Sequence, residues 1–216
     1  MGATSEIIAY VLSTMGALIP IVNPFSTVPL LVSLTTTFTP EERQDVVQRA
    51  CIYMFCVLLA FLVAGGLIMQ FFGISIPGLR IAGGLVIAFV GFRMLFPTPA
   101  PRATGEPEPA AQRDIAFTPL AMPSLSGPGS IAVVIGMSST AQASEYVIAR
   151  HALIAAGIAL TALFCYLVLK GATGLAQRLG PSGVSAMTGI MGFLLVCIGI
   201  QFVINGITQL TGALVG

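Results

Sequence analysis

The chain has 216 residues, 56% of them hydrophobic and only 8% charged, with a formal net charge of +1. A soluble chain carries about 25% charged residues to cover its surface, and a fold this small leaves much of its surface exposed. A mean hydropathy of +0.98 therefore makes the bilayer the solvent and excludes most soluble enzymes, and the near-zero charge offers no field for nucleic acid.

A membrane-crossing helix needs about 20 mostly apolar residues. Segments between the charges predict six: Ile7 to Leu34, Ala50 to Phe72, Ile76 to Phe96, Ile115 to Ser139, Ala152 to Leu169 and Gly183 to Leu214. Five or seven remain the alternatives if the first or last segment is divided differently. The N-terminus lacks a positively charged leader, so the first segment is expected to stay as a span. The longest connection, residues 97 to 113, carries five prolines among small residues and charges, as a solvated linker does. Seven Lys and Arg fall on one side of the six spans (Arg43, Arg49, Arg93, Arg102, Arg113, Lys170, Arg178) and two on the other (Arg80, Arg150). The positive-inside rule puts the first set in the cytoplasm and both termini outside.

The linker divides the chain into halves of three spans. The first span contains PIVNPFSTVP (Pro20 to Pro29) and the fourth contains PLAMPSLSGPGS (Pro119 to Ser130), with prolines four or five residues apart at Pro20 and Pro24 and at Pro123 and Pro128. Gly73 and Gly180 stand before the third and sixth spans, followed by small-residue steps at Gly83, Gly84, Gly189 and Gly192. Three is odd, so two such halves run in opposite directions, the inverted-repeat plan of secondary transporters. The fold class expected is an all-α integral membrane protein: six transmembrane helices as two inverted three-helix repeats, residues 1–96 and 114–216, with broken first and fourth helices.

Proline removes a backbone donor and clashes with the preceding turn. In lipid, a broken ladder survives only where protein or a wet cavity surrounds it. Asn is a preferred N-cap and Pro a preferred first helical residue, so Asn23-Pro24 should start a half-helix running to about Leu34. Ser126-Gly127-Pro128-Gly129 should start another running toward Ser139. Each such N-terminus presents N–H donors and a partial positive charge. Together they would hold a carboxylate or small anion at the midplane without Lys or Arg. The candidate substrate-binding residues are Asn23, Pro24, Ser26, Thr27, Ser124, Ser126, Gly127, Pro128, Gly129 and Ser130. Carbonyls freed near Pro20 and Pro123 would meet an ammonium.

These segments carry a resemblance. PIVNPFSTVPLLVSL, FTPLAMPSLSGPGSIAVVI, GISIPGLRIAGG and the run from Gly192 to Gln201 resemble the MarC family of six-span bacterial inner-membrane proteins, over nearly the whole chain outside the linker. The resemblance implies a multi-pass protein of the inner membrane with periplasmic termini. It also implies transport of small neutral amino acids such as alanine or glycine.

The remaining residues are read more plainly. Arg80 is expected to anchor at the interface, with a cavity-facing orientation as the alternative; Arg93 should anchor the opposite end. Thr39, before Pro40-Glu41-Glu42, is a plausible helix cap. His151 should cap the fifth span in water. The four cysteines (Cys51, Cys56, Cys165, Cys197) lie in apolar runs and read as small hydrophobes. No His, Cys or carboxylate has metal-ligand spacing; no metal or other cofactor is implied. No nucleophile and base share a depth, so an enzyme is least expected. Glu6, Asp114 and Glu145 lie at span edges, which argues against proton coupling through a buried carboxylate. The partners expected are a small polar or zwitterionic solute and the lipid bilayer, with a homo-oligomer left open and nucleic acid excluded. A non-transporting membrane scaffold or regulatory protein of the same family is the alternative reading.

Overall fold

The computed structural model describes residues 3–96, 115–142 and 144–215. The expected linker and Asp114 lie outside the described residues. The elements in order are α1 (Ala3–Val22), α2 (Pro24–Leu34), α3 (Pro40–Phe72), α4 (Ile76–Leu95), a wide π-helical segment (Ala116–Leu125), α5 (Pro128–Gln142), α6 (Val147–Lys170) and α7 (Ala172–Val215). Among the described residues there is no strand. Helices α3 and α7 begin well before the expected segments, at Pro40 instead of Ala50 and at Ala172 instead of Gly183.

Five helical stretches are long and apolar enough to cross a membrane: Ser5–Val22, Pro40–Phe72, Ile76–Leu95, Val147–Lys170 and Ser182–Gly212. The fourth expected segment is divided. Its α5 has 15 residues, about 22 Å at 1.5 Å per residue, short of the roughly 30 Å hydrocarbon core. The π-helical segment precedes it within the same expected segment.

The outer faces are apolar, as lipid contact requires. Phe71 is 83% exposed, Ile148 87% and Leu67 70%. In water such a surface would be an aggregation patch; in hydrocarbon it costs nothing. The interior is packed with Leu18, Leu31, Met54, Leu58, Ile154 and Ile158. Cys51 and Cys165 are buried and unpaired, while Cys56 and Cys197 face outward.

Local chemistry sets the helix starts. Thr39 accepts from the Glu42 amide at 3.2 Å and Glu42 reaches back to the Thr39 amide at 2.8 Å, completing a capping box. Ser75 caps α4 through the Gly78 amide. Gly73 closes α3 with a left-handed φ of 63°, and Gly180 kinks α7 with a φ of 66°; both need a residue without Cβ.

Helices α4 and α7 pack closely. A Cβ added to Gly84 would lie 2.5 Å from the Gly199 carbonyl, and one on Gly199 would lie 2.5 Å from the Gly84 carbonyl. The same reciprocity joins Gly91 to Gly192, and Gly206 sits against the Pro77 carbonyl. The pairs recur every seven residues, two helical turns, along an antiparallel seam. Gly189, expected to pack closely, has nothing within 4 Å of an added Cβ. Gly84 and Gly192 stand out in the sequence as small-residue steps; their partners Gly199 and Gly91, and Gly206, do not, because the register of two helices is invisible until they pair.

Gly199→Val should lower stability by roughly 1–3 kcal/mol, the usual cost of overpacking, in thermal unfolding of detergent-purified protein. Gly189→Ala should match or exceed wild type, since Ala is the better helix former. Equal losses at the two positions would contradict the seam.

Candidate functional site

The first break is built by one residue. Asn23 ends α1 by donating its amide to the Ile19 carbonyl at 2.9 Å. It then turns left-handed, with φ 44° and ψ 70°, the only non-glycine residue with positive φ among those described. Asn tolerates this region better than most residues. Its Oδ1 accepts from the Ser26 amide at 3.3 Å, and Ser26 Oγ donates to the Asn23 carbonyl at 2.9 Å. Pro24 follows as the first residue of α2, where a missing N–H is harmless.

The Asn23 side chain is 98% buried (2% exposed). Because Oδ1 faces Ser26, the amide nitrogen points the other way. Its partner there is the Met94 sulfur at 4.0 Å, a weak acceptor. A strong donor group is thus held buried against a soft partner.

The second break has the same logic and different residues. Thr118 (φ −126°, ψ 120°) and Met122 (φ −123°, ψ 126°) are extended inside the π-helical segment. Each precedes a proline, whose ring disfavours helical geometry in the residue before it. The Ser126 amide and hydroxyl both donate to the Ala121 carbonyl, at 2.8 and 2.7 Å. Helix α5 restarts at Pro128, and Ser130 Oγ donates to the Gly127 carbonyl at 2.9 Å. That bond repeats the Ser26–Asn23 bond at the first break. Thr27 Oγ1 and Ser124 Oγ, 2.9 Å apart, tie the two breaks together.

Both breaks border one cavity of about 560 Å³. Of the ten candidate residues, Ser26, Ser124, Gly127, Pro128, Gly129 and Ser130 line it. Asn23, Pro24, Thr27 and Ser126 lie behind it and are buried. The Asn23 amide approaches it through Met94, which is itself part of the wall. Gly129 packs so tightly that an added Cβ would lie 2.7 Å from Ile87.

Gly129 meets Ile87 of α4 and Ile21 of α1, and Asn23 reaches Met94 of α4, so the site extends along α4. Its opposite wall was not anticipated. Val86, Phe89 and Val90 from α4 and Leu195 from α7 make it apolar, and Thr188 from α7 adds a hydroxyl. Thr188 bonds its own helix through Val184, so only the helix pairing reveals it. Among the described residues no charged side chain lines the cavity, and no group of His, Cys, Asp or Glu could hold a metal.

Three outlying residues are settled by geometry. Arg43 donates from Nε to Thr35 Oγ1 at 2.8 Å and from a second nitrogen to the Thr35 carbonyl at 2.7 Å, pinning the end of α2. His151 does not simply cap α6 in water. Its ring engages the Val147 carbonyl at 2.8 Å and Ser138 Oγ at 3.1 Å, and Ser138 donates to Leu62 of α3. It thereby pins α5 as Arg43 pins α2. Arg93 lies over the Phe89 ring at 6.0 Å in the last turn of α4.

An all-helical chain with apolar outer faces, several crossing-length helices and two protein-enclosed helix breaks is an integral membrane protein of the multi-pass kind. This chain belongs to the MarC family of integral membrane proteins, whose model matches residues 8–211. It is 42% identical over 204 residues to the inner membrane protein MarC of Escherichia coli (strain K12), covering 89% of this chain and 91% of the relative. The inner membrane protein MarC of Shigella flexneri matches to the same extent. No solved structure matches the chain.

Asn23→Ala should destabilise by about 2 kcal/mol, from the lost cap and the left-handed backbone. Asn23→Gly relieves the backbone term and should cost a few tenths. Denaturant or thermal unfolding of the two variants checks the order; equal losses would contradict a strained cap at this position.

Proposed function

We propose that this protein is a secondary transporter, an exporter or exchanger, of small neutral amino acids such as alanine or glycine, resident in the inner membrane as its relatives' names state. The observation that carries the reading is the cavity shared by the two helix breaks. Its polarity comes from backbone and hydroxyls, with no charged side chain among the described residues of its wall. Net-neutral zwitterions suit such a site. A carboxylate is held by a helix N-terminus, here the Gly129 and Ser130 end of α5, with the Asn23 amide behind the Met94 wall. The apolar wall across from them receives a small side chain.

The transport plan rests on six crossings arranged as two inverted repeats, with α1 and α2 sharing the first and the π-helical segment and α5 sharing the fourth. The pattern of helix contacts supports it. Exchanging α1, α2, α3 and α4 for the π-helical segment, α5, α6 and α7 turns the α1–α6 contact into π-segment–α3, α2–α7 into α4–α5, and α1–α5 into α2–π-segment; all are present. The α4–α7 and α3–α6 contacts map onto themselves. Matching hydroxyl bonds at the two breaks and matching pins by Arg43 and His151 agree with the exchange. Rocking of one repeat against the other would then expose the cavity alternately to each side. Glu6 and Glu145 are exposed, so coupling does not run through either as a buried relay. Both termini face the periplasm in this plan, by the Lys and Arg distribution.

In proteoliposomes, alanine and glycine flux should be abolished by Gly127→Leu and by Asn23→Ala, in variants that still insert and elute as folded protein. Wild-type flux in both would remove the site assignment.

A further inference from the structure

A second cavity, of about 210 Å³, lies at the end of the bundle where α1 and α4 begin and α5 and α7 finish. Arg80 lines it, and one guanidinium nitrogen donates to Gln209 Oε1 at 2.8 Å. Gln209 orients the group without neutralising it. Among the described residues, Arg80 meets no carboxylate. Arg80 is thus placed in a cavity wall, the second of the two orientations expected for it.

The polar groups around this cavity differ in hydrogen-bonding sense. Arg80 and the Tyr10 hydroxyl can donate into it. Tyr10 also carries Arg150 over its ring at 6.0 Å, so positive charge flanks these donors. The other hydroxyls of the wall are committed as donors elsewhere. Ser13 and Thr14 both give their protons to the Tyr10 carbonyl, at 2.7 and 3.0 Å, and Thr140 gives its proton to the Gly136 carbonyl at 2.9 Å. Toward the cavity these three present lone pairs only. Thr14 is 1% exposed, so its orientation is fixed by packing.

We propose that this cavity is a second zwitterion site: Arg80 and Tyr10 take the carboxylate, and the oxygens of Ser13, Thr14 and Thr140 take the ammonium. The inference rests on the transport reading above and adds a vestibule through which the same amino acid passes. A free carboxylic acid would leave the acceptor oxygens unpaired. An amide or amine would face Arg80 with no anion to offer. The volume lies below the roughly 300–1,000 Å³ of drug-sized pockets and suits a residue the size of glycine, alanine or serine. Arginine's fork binds a carboxylate through two parallel bonds, which makes its replacement costly.

The test reads this cavity alone. Met137, in its wall and outside the proposed bonding, is replaced by Cys in the full-length protein. Its modification by a charged thiol reagent is quantified by peptide mass spectrometry, so the native cysteines do not interfere. L-Alanine should slow modification of Met137→Cys, with propionate and L-alaninamide protecting less. Adding Arg80→Gln should raise the half-protecting alanine concentration about tenfold or more, the scale of one charge-assisted pair. Tyr10→Phe, a milder change, should raise it several-fold. Adding Gly127→Leu, which targets the larger cavity, should leave protection intact even if flux proves independent of that cavity. Protection that survives Arg80→Gln and Tyr10→Phe, that vanishes with Gly127→Leu, or that never occurs would overturn the proposal.

Discussion

A backbone that breaks inside an apolar bundle has no water to turn to, and that constraint governs this molecule. Each unpaired N–H or C=O in hydrocarbon costs several kcal/mol. The two breaks must therefore be satisfied by their own side chains and enclosed by neighbours. At Asn23 the side chain accepts from Ser26 while the Ser26 hydroxyl returns the bond. At Ser126 and Gly127, two serine hydroxyls do the equivalent work. The Thr27–Ser124 bridge then joins the breaks across the halves. What is left over, the buried Asn23 amide, meets the Met94 sulfur in the wall of a common cavity.

The rest of the fold serves that enclosure. The glycine seam packs α4 closely on α7, and both helices contribute to the cavity wall. Arg43 and His151 hold the far ends of α2 and α5, the short helices that begin at the breaks. The His151 bond reaches α3 through Ser138, so a displacement of α5 is felt in both neighbouring helices. Rigid pins at one end of a short helix and a hydroxyl-lined break at the other leave the break as the natural place to flex. The family shares an integral membrane character.

Much of this was legible in the residues, for physical reasons. Scarce charge announced the bilayer. Asn23-Pro24 and Ser126-Gly127-Pro128 announced helix restarts because capping is local chemistry, and α2 ends at the expected Leu34. Thr39 likewise revealed its capping box. Features that depend on pairing between helices were not legible. Thr188 and the apolar wall enter the cavity only through the α4–α7 register. Gly91 and Gly199 matter and Gly189 does not, because of which face each presents. The cavity-facing role of Arg80 required the position of Gln209, and the role of His151 required Ser138, thirteen residues away on another helix. The extended residues Thr118 and Met122 were readable in principle, since each precedes a proline, but the π-helical widening around them was not.

The most direct measurement is the melting temperature of the purified wild-type protein with and without ligand. A ligand that binds only the folded state stabilises it with occupancy, by about 2.7 kcal/mol at one hundred times its Kd. L-Alanine and glycine should each raise the melting temperature in a saturable manner, and more than propionate or alaninamide at equal concentration. A melting curve unmoved by every small neutral amino acid would contradict the claim that the two helix breaks build a zwitterion site.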